Sequence, residues 1–342
     1  MNDYMPERAI ETHNLTKVFG QVTAVDNLSF DVREGELFGL LGPNGAGKTT
    51  TVRMLCTLLE PTSGSATIAG YDLVREPDEV RRQIGVVSDG VMLYKDLSIE
   101  ENLRFLSKLY DLSKEDTGVR IKELVELFDF REKTSRRVGA LSSGWTKKAL
   151  IAAALLHRPK ILFLDEVTSG LDPQSATALR DFARALCDQG VTIMWTTHYM
   201  SEPERICDRI GIVYGGRMVQ VGSPSDLKRK VSELLTIEVE TSSISSDQIE
   251  KLRTMGEICR VEYENPILRM SCERDDDLTE RVTKILLSEG VKIKSIATKE
   301  PTLEETFIKL TGGEDEIDRF LEKASGKKQL NKPSSKDQAT KA

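Results

Sequence analysis

One octapeptide constrains the fold more than any other part of the chain. It reads Gly42-Pro43-Asn44-Gly45-Ala46-Gly47-Lys48-Thr49, fits the pattern G-x-x-x-x-G-K-[ST], and lies between an apolar run at 37–41 and a helical pattern at 49–59. The glycines let backbone N–H groups close around phosphates, Lys48 brings a cation to the β- and γ-phosphates, and Thr49 offers a hydroxyl to Mg²⁺. We expect nucleotide phosphates to be bound here by Gly42, Pro43, Asn44, Gly45, Ala46, Gly47, Lys48, Thr49 and Thr50.

A second apolar run, 161–164, ends in the two carboxylates Asp165 and Glu166. In a doubly wound α/β fold, ligands bind at the carboxyl ends of the parallel strands. We therefore expect Asp165 to hold Mg²⁺ through water, and Glu166 to polarise the water that attacks the phosphate.

The wider pattern predicts an α/β fold. Continuous apolar strands at 160–164 and 191–195 are followed by helical patterns at 174–189 and 200–207. Such strands, separated by helices, indicate a parallel sheet that is covered on both faces. The segment 98–138 carries apolar residues at helical spacing, which predicts a separate helical lobe.

The pattern changes beyond Gly222. Short segments between 235 and 297 follow the order β-α-β-β-α-β, which is typical of a ferredoxin-like α+β unit. The residues after 323 are rich in Lys, Ser and Gln and nearly free of apolar side chains, which predicts a disordered tail. The predicted domains are 1–230, with a helical subdomain at about 97–145, an accessory α+β domain at 231–312, and an acidic helix with a disordered basic tail at 313–342.

Composition narrows the range of functions. The 342 residues include 48 Lys and Arg against 55 Asp and Glu, a net charge of −7, so a basic surface for nucleic acid is not expected. No apolar run reaches the roughly 18 residues of a membrane-spanning helix, and the first residues lack the apolar core of a signal peptide. Five cysteines without CxxC pairing predict reduced, apolar fillers. We expect a soluble, cytosolic chain.

Further motifs resemble the ATP-binding cassette (ABC) ATPases over about residues 8–230. Leu141-Ser142-Ser143-Gly144 is similar to the family's signature motif, and Ser169-Gly170-Leu171-Asp172 resembles its D-loop, which Asp172 ends. His198 matches the switch histidine, and Phe19 matches the aromatic residue that stacks on adenine. The resemblance implies a P-loop NTPase core that binds ATP and Mg²⁺ and hydrolyses ATP, with Lys48, Glu166 and His198 in catalytic roles.

The same resemblance implies a dimer. In this family the signature of one subunit covers the nucleotide that the phosphate loop of the other subunit holds. Because the chain contains one cassette, a homodimer closed over two ATP molecules is the simpler case. Ser142 and Gly144 would then donate hydrogen bonds to the γ-phosphate in trans.

Three positions depart from the family pattern. The glutamine of the family's Q-loop falls on Asp89, whose carboxylate could ligand Mg²⁺ but cannot donate as an amide does. Ser143 stands where glycine is usual, and Val167 follows Glu166 where proline is usual. We expect nucleotide binding to survive these changes and the hydrolysis rate to be the property that they affect.

Three segments resemble a particular branch of the family. The segments 60–64 and 198–204 are similar to ATPases that serve ABC-2-type exporters, and 302–312 resembles the end of the C-terminal domain in daunorubicin/doxorubicin-resistance-type ATPases. This implies an ATPase subunit at the cytoplasmic face of the cell membrane, docked on a separately encoded membrane permease. The cargo is not implied, because substrate choice in such systems belongs to the permease.

Two other functions stay open at this point. A nucleotide-gated regulatory module with little turnover would fit Asp89 and Ser143. A soluble nucleic-acid-linked ABC protein would fit the basic tail, although the chain lacks the second cassette or the long coiled coils of such proteins. We expect no nucleic-acid partner.

Overall fold

The computed structural model describes residues 7–88, 90, 92–231, 234–241, 244–254, 258–273, 278–299 and 302–311. The strands are β1 (Arg8–Phe19), β2 (Val22–Arg33), β3 (Leu37–Leu41), β4 (Ser63–Ile68), β5 (Tyr71–Asp72), β6 (Ile84–Val87), β7 (Ile161–Asp165), β8 (Thr192–Thr197), β9 (Arg209–Tyr214), β10 (Arg217–Gly222), β11 (Leu234–Thr241), β12 (Ile258–Glu264), β13 (Ile267–Glu273) and β14 (Ile293–Lys299). The helices are α1 (Lys48–Leu55), α2 (Pro77–Gln83), α3 (Ile99–Leu109), α4 (Lys114–Leu127), α5 (Ser143–Ala154), α6 (Pro173–Asp188), α7 (Ser201–Ile206), α8 (Pro224–Val231), α9 (Ser246–Arg253), α10 (Leu278–Ser288) and α11 (Leu303–Thr311), with a 3₁₀ turn at Val138–Ala140. The predicted acidic helix and basic tail at 313–342 lie outside the described residues.

The central sheet has the strand order β10-β9-β3-β8-β7-β6. Strands β9, β3, β8, β7 and β6 run parallel, and β10 pairs antiparallel with β9 at one edge. Alternate side chains enter two different cores: in β3, Leu37 and Leu41 face one apolar cluster, whereas Phe38 and Leu40 face the other. The predicted parallel sheet with both faces covered is therefore confirmed.

A second sheet, β2-β1-β4-β5, covers one face of the central sheet. Its two long strands were not expected from the sequence. They pair antiparallel, and register shifts near Leu15 and Lys17 interrupt the alternation of apolar and polar side chains. Helix α1 joins the same core, and it ends at Leu55, four residues earlier than predicted, because Thr57 adopts a left-handed backbone with φ of +58°.

Helices α3 and α4 lie in the segment that is predicted to form a separate helical lobe. The side chain of Ser98 caps α3 by accepting from the N–H of Glu101, whose carboxylate accepts from the N–H of Ser98 in return. Leu103 and Leu124 are fully buried in the same apolar cluster as helix α5. The lobe is thus continuous with the core on the second face of the central sheet.

The segment β11–β14 with α9 and α10, here called the C-terminal unit (residues 234–299), has its own apolar cluster. Its elements follow the β-α-β-β-α-β order, and its antiparallel strands lie in the order β12-β13-β11-β14. On β11, Ile237 and Val239 are buried beneath the helices, while Glu238 and Glu240 point to the opposite face. The ferredoxin-like assignment of this unit stays a prediction, as do the domain boundaries.

Helix α11 leaves the C-terminal unit and packs on the cassette unit (residues 7–231), where it contacts α7 and α8. Leu303 and Phe307 are buried in the cluster that also contains Ile206 and Leu227. The Phe307 ring meets the Tyr214 ring edge-on, with 6.2 Å between centroids. The helix therefore packs with the cassette unit, although the predicted boundary groups it with residues 231–312.

Across the part of the chain that the structure describes, every helix is too short or too polar to cross a bilayer.

Candidate nucleotide site

The phosphate loop connects β3 to α1 and depends on two glycines for its shape. A Cβ at Gly42 would lie 2.3 Å from the carbonyl oxygen of Val213, and one at Gly47 would lie 2.6 Å from that of Ala24. Gly47 also has a φ of +104°, in the region that side chains disfavour. The loop can therefore approach its neighbours this closely only with glycine at both positions.

Lys48, the first residue of α1, is buried, with 3% of its surface exposed. Its ammonium donates to the carbonyl oxygens of Gly42 at 2.8 Å and Pro43 at 3.1 Å. Burial lowers the pKa of Lys48, and the nearby carboxylate of Glu166 opposes that shift. The loop carbonyls thus hold the ammonium next to the cavity that Lys48 lines with Glu166.

Asp165 ends β7 at the carboxyl edge of the sheet and is also buried. Its Oδ1 accepts from the hydroxyl of Thr49 at 3.4 Å and from the hydroxyl of Thr196 in a short hydrogen bond. Burial raises the pKa of Asp165, and the two hydroxyls act in the opposite direction. Residues 49 and 165 are therefore brought together as the sequence predicts.

Glu166 lies between Lys48 and His198. One carboxylate oxygen is 3.3 Å from Nζ of Lys48, and the other is 3.3 Å from Nδ1 of His198. The backbone of Glu166 has a φ of +50°, and its N–H donates to the carbonyl oxygen of Thr196 at 3.1 Å. This left-handed turn, which is uncommon for a residue other than glycine, directs the carboxylate toward the phosphate loop.

A cavity of about 460 Å³ opens over these groups. Its lining includes the predicted Asn44, Gly45 and Thr50, together with Ala24 and Arg53, which were not predicted from the sequence. Arg53 could have been found from helical periodicity, because it lies four residues after Thr49 and hence on the same face of α1.

Other predicted residues lie away from this cavity. Phe19 is 49% exposed, and its ring lies 5.3 Å from the ammonium of Lys17. Ser142 and Gly144 line a separate cavity of about 220 Å³ between α5 and α6. Their positions do not bring the signature to the phosphate loop of the same chain.

Ala46, within the phosphate loop, is fully buried, and the side chain of Asp172 caps α6 by accepting from the N–H of Ser175 at 2.9 Å. Asp89 lies outside the described residues. Glu202 and Thr168, which were not predicted from the sequence, form a buried hydrogen-bond network next to His198.

A family model described as "ABC transporter" matches residues 25–169. The linearmycin resistance ATP-binding protein LnrL of Bacillus subtilis (strain 168) is 34% identical over 307 residues, which cover 89% of this chain and 98% of that protein. The daunorubicin/doxorubicin resistance ATP-binding protein DrrA of Streptomyces peucetius is 35% identical over 335 residues, which cover 94% of this chain and 97% of that protein. The chain belongs to the ABC transporter ATP-binding proteins.

Solved structures agree with this ABC assignment. One described as the ATP-binding subunit of an ABC transporter is 32% identical, covers 65% of this chain and 92% of its own, and superposes with a TM-score of 0.59. A dimeric ATP-binding cassette in a post-hydrolysis state, bound to ADP and Pi, is 25% identical to this chain. The match covers 63% of this chain and 98% of that one, with a TM-score of 0.56. The predicted P-loop NTPase core and the ABC family resemblance are confirmed. This ABC protein binds and hydrolyses ATP.

Proposed function

We propose that the chain hydrolyses ATP at the Lys48–Glu166–His198 cluster and that this hydrolysis powers a two-component exporter. The observation that carries the proposal is the position of Glu166, whose two carboxylate oxygens each lie 3.3 Å from a nitrogen of the other two residues. A carboxylate held at the mouth of a phosphate loop can orient a water toward the γ-phosphate and accept its proton. His198 lies on the far side of that carboxylate.

Lys48 takes a different partner in the proposed reaction. Its ammonium donates hydrogen bonds to two carbonyl oxygens of the loop and lies 3.3 Å from a carboxylate oxygen of Glu166. A phosphate oxygen carries more charge than these carbonyls and forms a stronger charge-assisted hydrogen bond. We infer that binding of ATP draws Lys48 onto the β- and γ-phosphates and releases Glu166 to bind the attacking water.

Thr49 and Asp165 are the residues that would hold Mg²⁺. They supply a hydroxyl and a carboxylate oxygen, the hard donors that this ion prefers. Such an ion usually keeps several waters and is bound through one or two carboxylates together with phosphate oxygens. When bound, the ion neutralises charge on the phosphates.

The signature supports a second copy of the chain as the partner. Ser142 stands at the N-cap of α5, yet its side chain makes no capping hydrogen bond. Its hydroxyl and the N-terminus of a twelve-residue helix are therefore available to an anion. We propose that Ser142 and Gly144 contact the γ-phosphate that the partner's loop holds, and that Phe19 stacks on the adenine.

The exporter part of the proposal rests on the relatives. Two are named for drug resistance, and the Nod factor export ATP-binding protein I of Paraburkholderia xenovorans (strain LB400) is 40% identical over 223 residues, which cover 65% of this chain and 73% of that protein. We propose that the chain docks on a separately encoded permease at the cytoplasmic face of the membrane. Co-purification from membranes with such a permease supports this role, whereas salt-sensitive co-purification with nucleic acid instead would contradict it.

ATP-driven pairing can be tested with the Glu166→Gln variant, which keeps the size of the side chain but removes the proton acceptor. Sedimentation velocity should show a monomer without nucleotide and a dimer with ATP and Mg²⁺. Lys48→Ala is the matched control and should stay monomeric under both conditions, because it lacks the cation for the phosphates. A Glu166→Gln chain that binds ATP but stays monomeric at high concentration overturns the proposed pairing.

A further inference from the structure

Glu202 is a buried carboxylate that the proposed mechanism does not use. It lies in the first turn of α7, four residues after His198, and only 3% of its surface is exposed. Burying a charge in this way is costly unless it is paired and hydrogen-bonded.

Three side chains from three different segments satisfy this carboxylate. The hydroxyls of Thr168 and Thr197 donate to Oε2 at 3.0 Å and 2.8 Å. The guanidinium of Arg180 donates to Oε1 at 3.1 Å, with 15% of the arginine side chain exposed. Both carboxylate oxygens are therefore engaged, and the charge is compensated.

Each partner belongs to a segment that carries part of the site. Thr168 follows Glu166 by two residues, in the turn that Glu166 begins. Thr197 precedes His198 directly, and its hydroxyl also accepts from the N–H of Tyr199 at 3.0 Å. One carboxylate thus fixes both loops that bring Glu166 and His198 to within 3.3 Å of each other.

Arg180 extends the link to a third segment. It lies in α6, the helix that Asp172 begins and that lines the cavity next to the signature. The α6 helix is therefore tied to the same carboxylate as the two catalytic loops. A network of this kind gives each loop one position relative to the others.

Stability alone does not require a charge at this place. Buried ion pairs can often be replaced by apolar groups without loss of folding free energy, so folding stability does not by itself account for this one. We propose that Glu202 is a positioning residue for ATP hydrolysis: it holds the Glu166 loop, the His198 loop and helix α6 in the arrangement that the chemical step needs.

The nucleotide is bound mainly by the phosphate loop and α1, which Glu202 does not contact. Loss of the network should therefore lower kcat and leave the Kd for ATP unchanged. Because a displacement of about 1 Å at a reacting group can cost about a hundredfold in rate, we expect kcat to fall on the order of ten- to hundredfold.

The sharpest test is the pair Thr168→Val and Thr168→Ser. Valine keeps the shape of threonine and removes the hydroxyl, whereas serine keeps the hydroxyl. In Thr168→Val, kcat should fall about ten- to hundredfold, with the Kd for ATP within about twofold of the parent. Thr168→Ser should retain most of the parent kcat. Glu202→Gln, which leaves Arg180 without its counter-charge, should match or exceed the Thr168→Val loss.

The matched control is Thr12→Val in β1. Its hydroxyl is also buried and donates to the carbonyl oxygen of Phe30, but it lies in the antiparallel sheet, away from the catalytic loops. All variants are assayed well below their unfolding temperatures. The proposal is overturned if Thr168→Val and Thr12→Val keep the same kcat and differ from the parent only in thermal stability, or if Thr168→Val raises the Kd and spares kcat.

Discussion

The central sheet and the sheet of the C-terminal unit are built on opposite plans. In the central sheet, β3, β7 and β8 run parallel, so their carboxyl ends lie at one edge. The segments after these strands carry Lys48, Glu166 and His198, which meet at that edge although they are far apart in sequence. In the C-terminal unit the strands are antiparallel, and neighbouring strand ends point in opposite directions. The parallel plan of the central sheet gathers distant side chains at its carboxyl edge, where α/β sheets bind ligands.

Charges are also used differently in the two sheets. At the carboxyl edge of the central sheet the charged side chains of Lys48 and Asp165 are buried and line the same cavity. In the C-terminal unit, charged side chains lie on the open face, where Glu238 pairs with Arg269 at 2.8 Å and with Lys299 at 2.5 Å. The comparison predicts that charge removal affects chemistry in one sheet and only local stability in the other.

The largest expected contrast comes from the same substitution in both sheets. Glu166→Gln should lower kcat by about a thousandfold, within the range of a lost general base, with little change in the Kd for ATP. Glu238→Gln should leave kcat within about twofold of the parent, because it touches no reacting group. Steady-state phosphate release measures both. Equal losses in the two variants would refute the division of roles.

The two regions can also be compared by replacing one glycine in each, Gly47 in the phosphate loop and Gly290 in the C-terminal unit. Gly47→Ala should weaken ATP binding by at least about tenfold, because the new Cβ must avoid the carbonyl oxygen of Ala24 in a strained conformation. Gly290 also has a positive φ, +75°, but nothing lies within 4 Å of the position that a Cβ would take there. Gly290→Ala should cost only about 1–2 kcal/mol of unfolding free energy and spare the Kd. Nucleotide titration and urea unfolding separate the two effects, and unchanged ATP binding in Gly47→Ala would contradict the steric argument.

The smallest effect concerns pH. Hydrogen bonds from Lys299 and then Arg269 hold the pKa of Glu238 below its ordinary value of 4.5. A lowered folded-state pKa means that this carboxylate stabilises the C-terminal unit above that value and that the contribution is lost as pH falls below it. Between pH 7 and pH 3, the protection of the β11 and β13 amides against exchange, measured relative to the intrinsic rate at each pH, should fall less in Glu238→Gln than in the parent. The same loss of protection in both chains would show that the ion pairs contribute nothing.

The sequence predicted the elements whose pattern is local. Strand β3 has the predicted bounds, and the phosphate loop follows it because the order of Gly, Lys and Thr encodes the cradle directly. Strands β1 and β2 were missed, because bulges break their alternation and their pairing is set by the core beneath them. Likewise α1 stops at Leu55 for reasons of backbone geometry at Thr57, which periodicity does not report.

The site residues that could be predicted from the sequence are those that belong to a short, recognisable motif. Lys48, Asp165 and Glu166 each follow a strand or loop with a recognisable pattern, and the structure brings them together. Glu202 was not predictable in this way. In sequence it is one acidic residue in a short polar helix, and only the packing of α7 against α6 and β8 shows that it is buried. Buried polar networks are encoded by tertiary contacts, so a single sequence gives no signal for them.

The return of helix α11 to the cassette unit has a consequence for how such chains can change. Because α8 and α11 pack against each other, the C-terminal unit is an insertion between two neighbouring helices and not an appendage at the end of the chain. Insertions whose ends lie close together can be exchanged, lengthened or shortened while the host keeps its core. A change of length within 234–299 therefore leaves the core of the cassette unit intact, whereas loss of Leu303 or Phe307 uncovers part of its apolar surface.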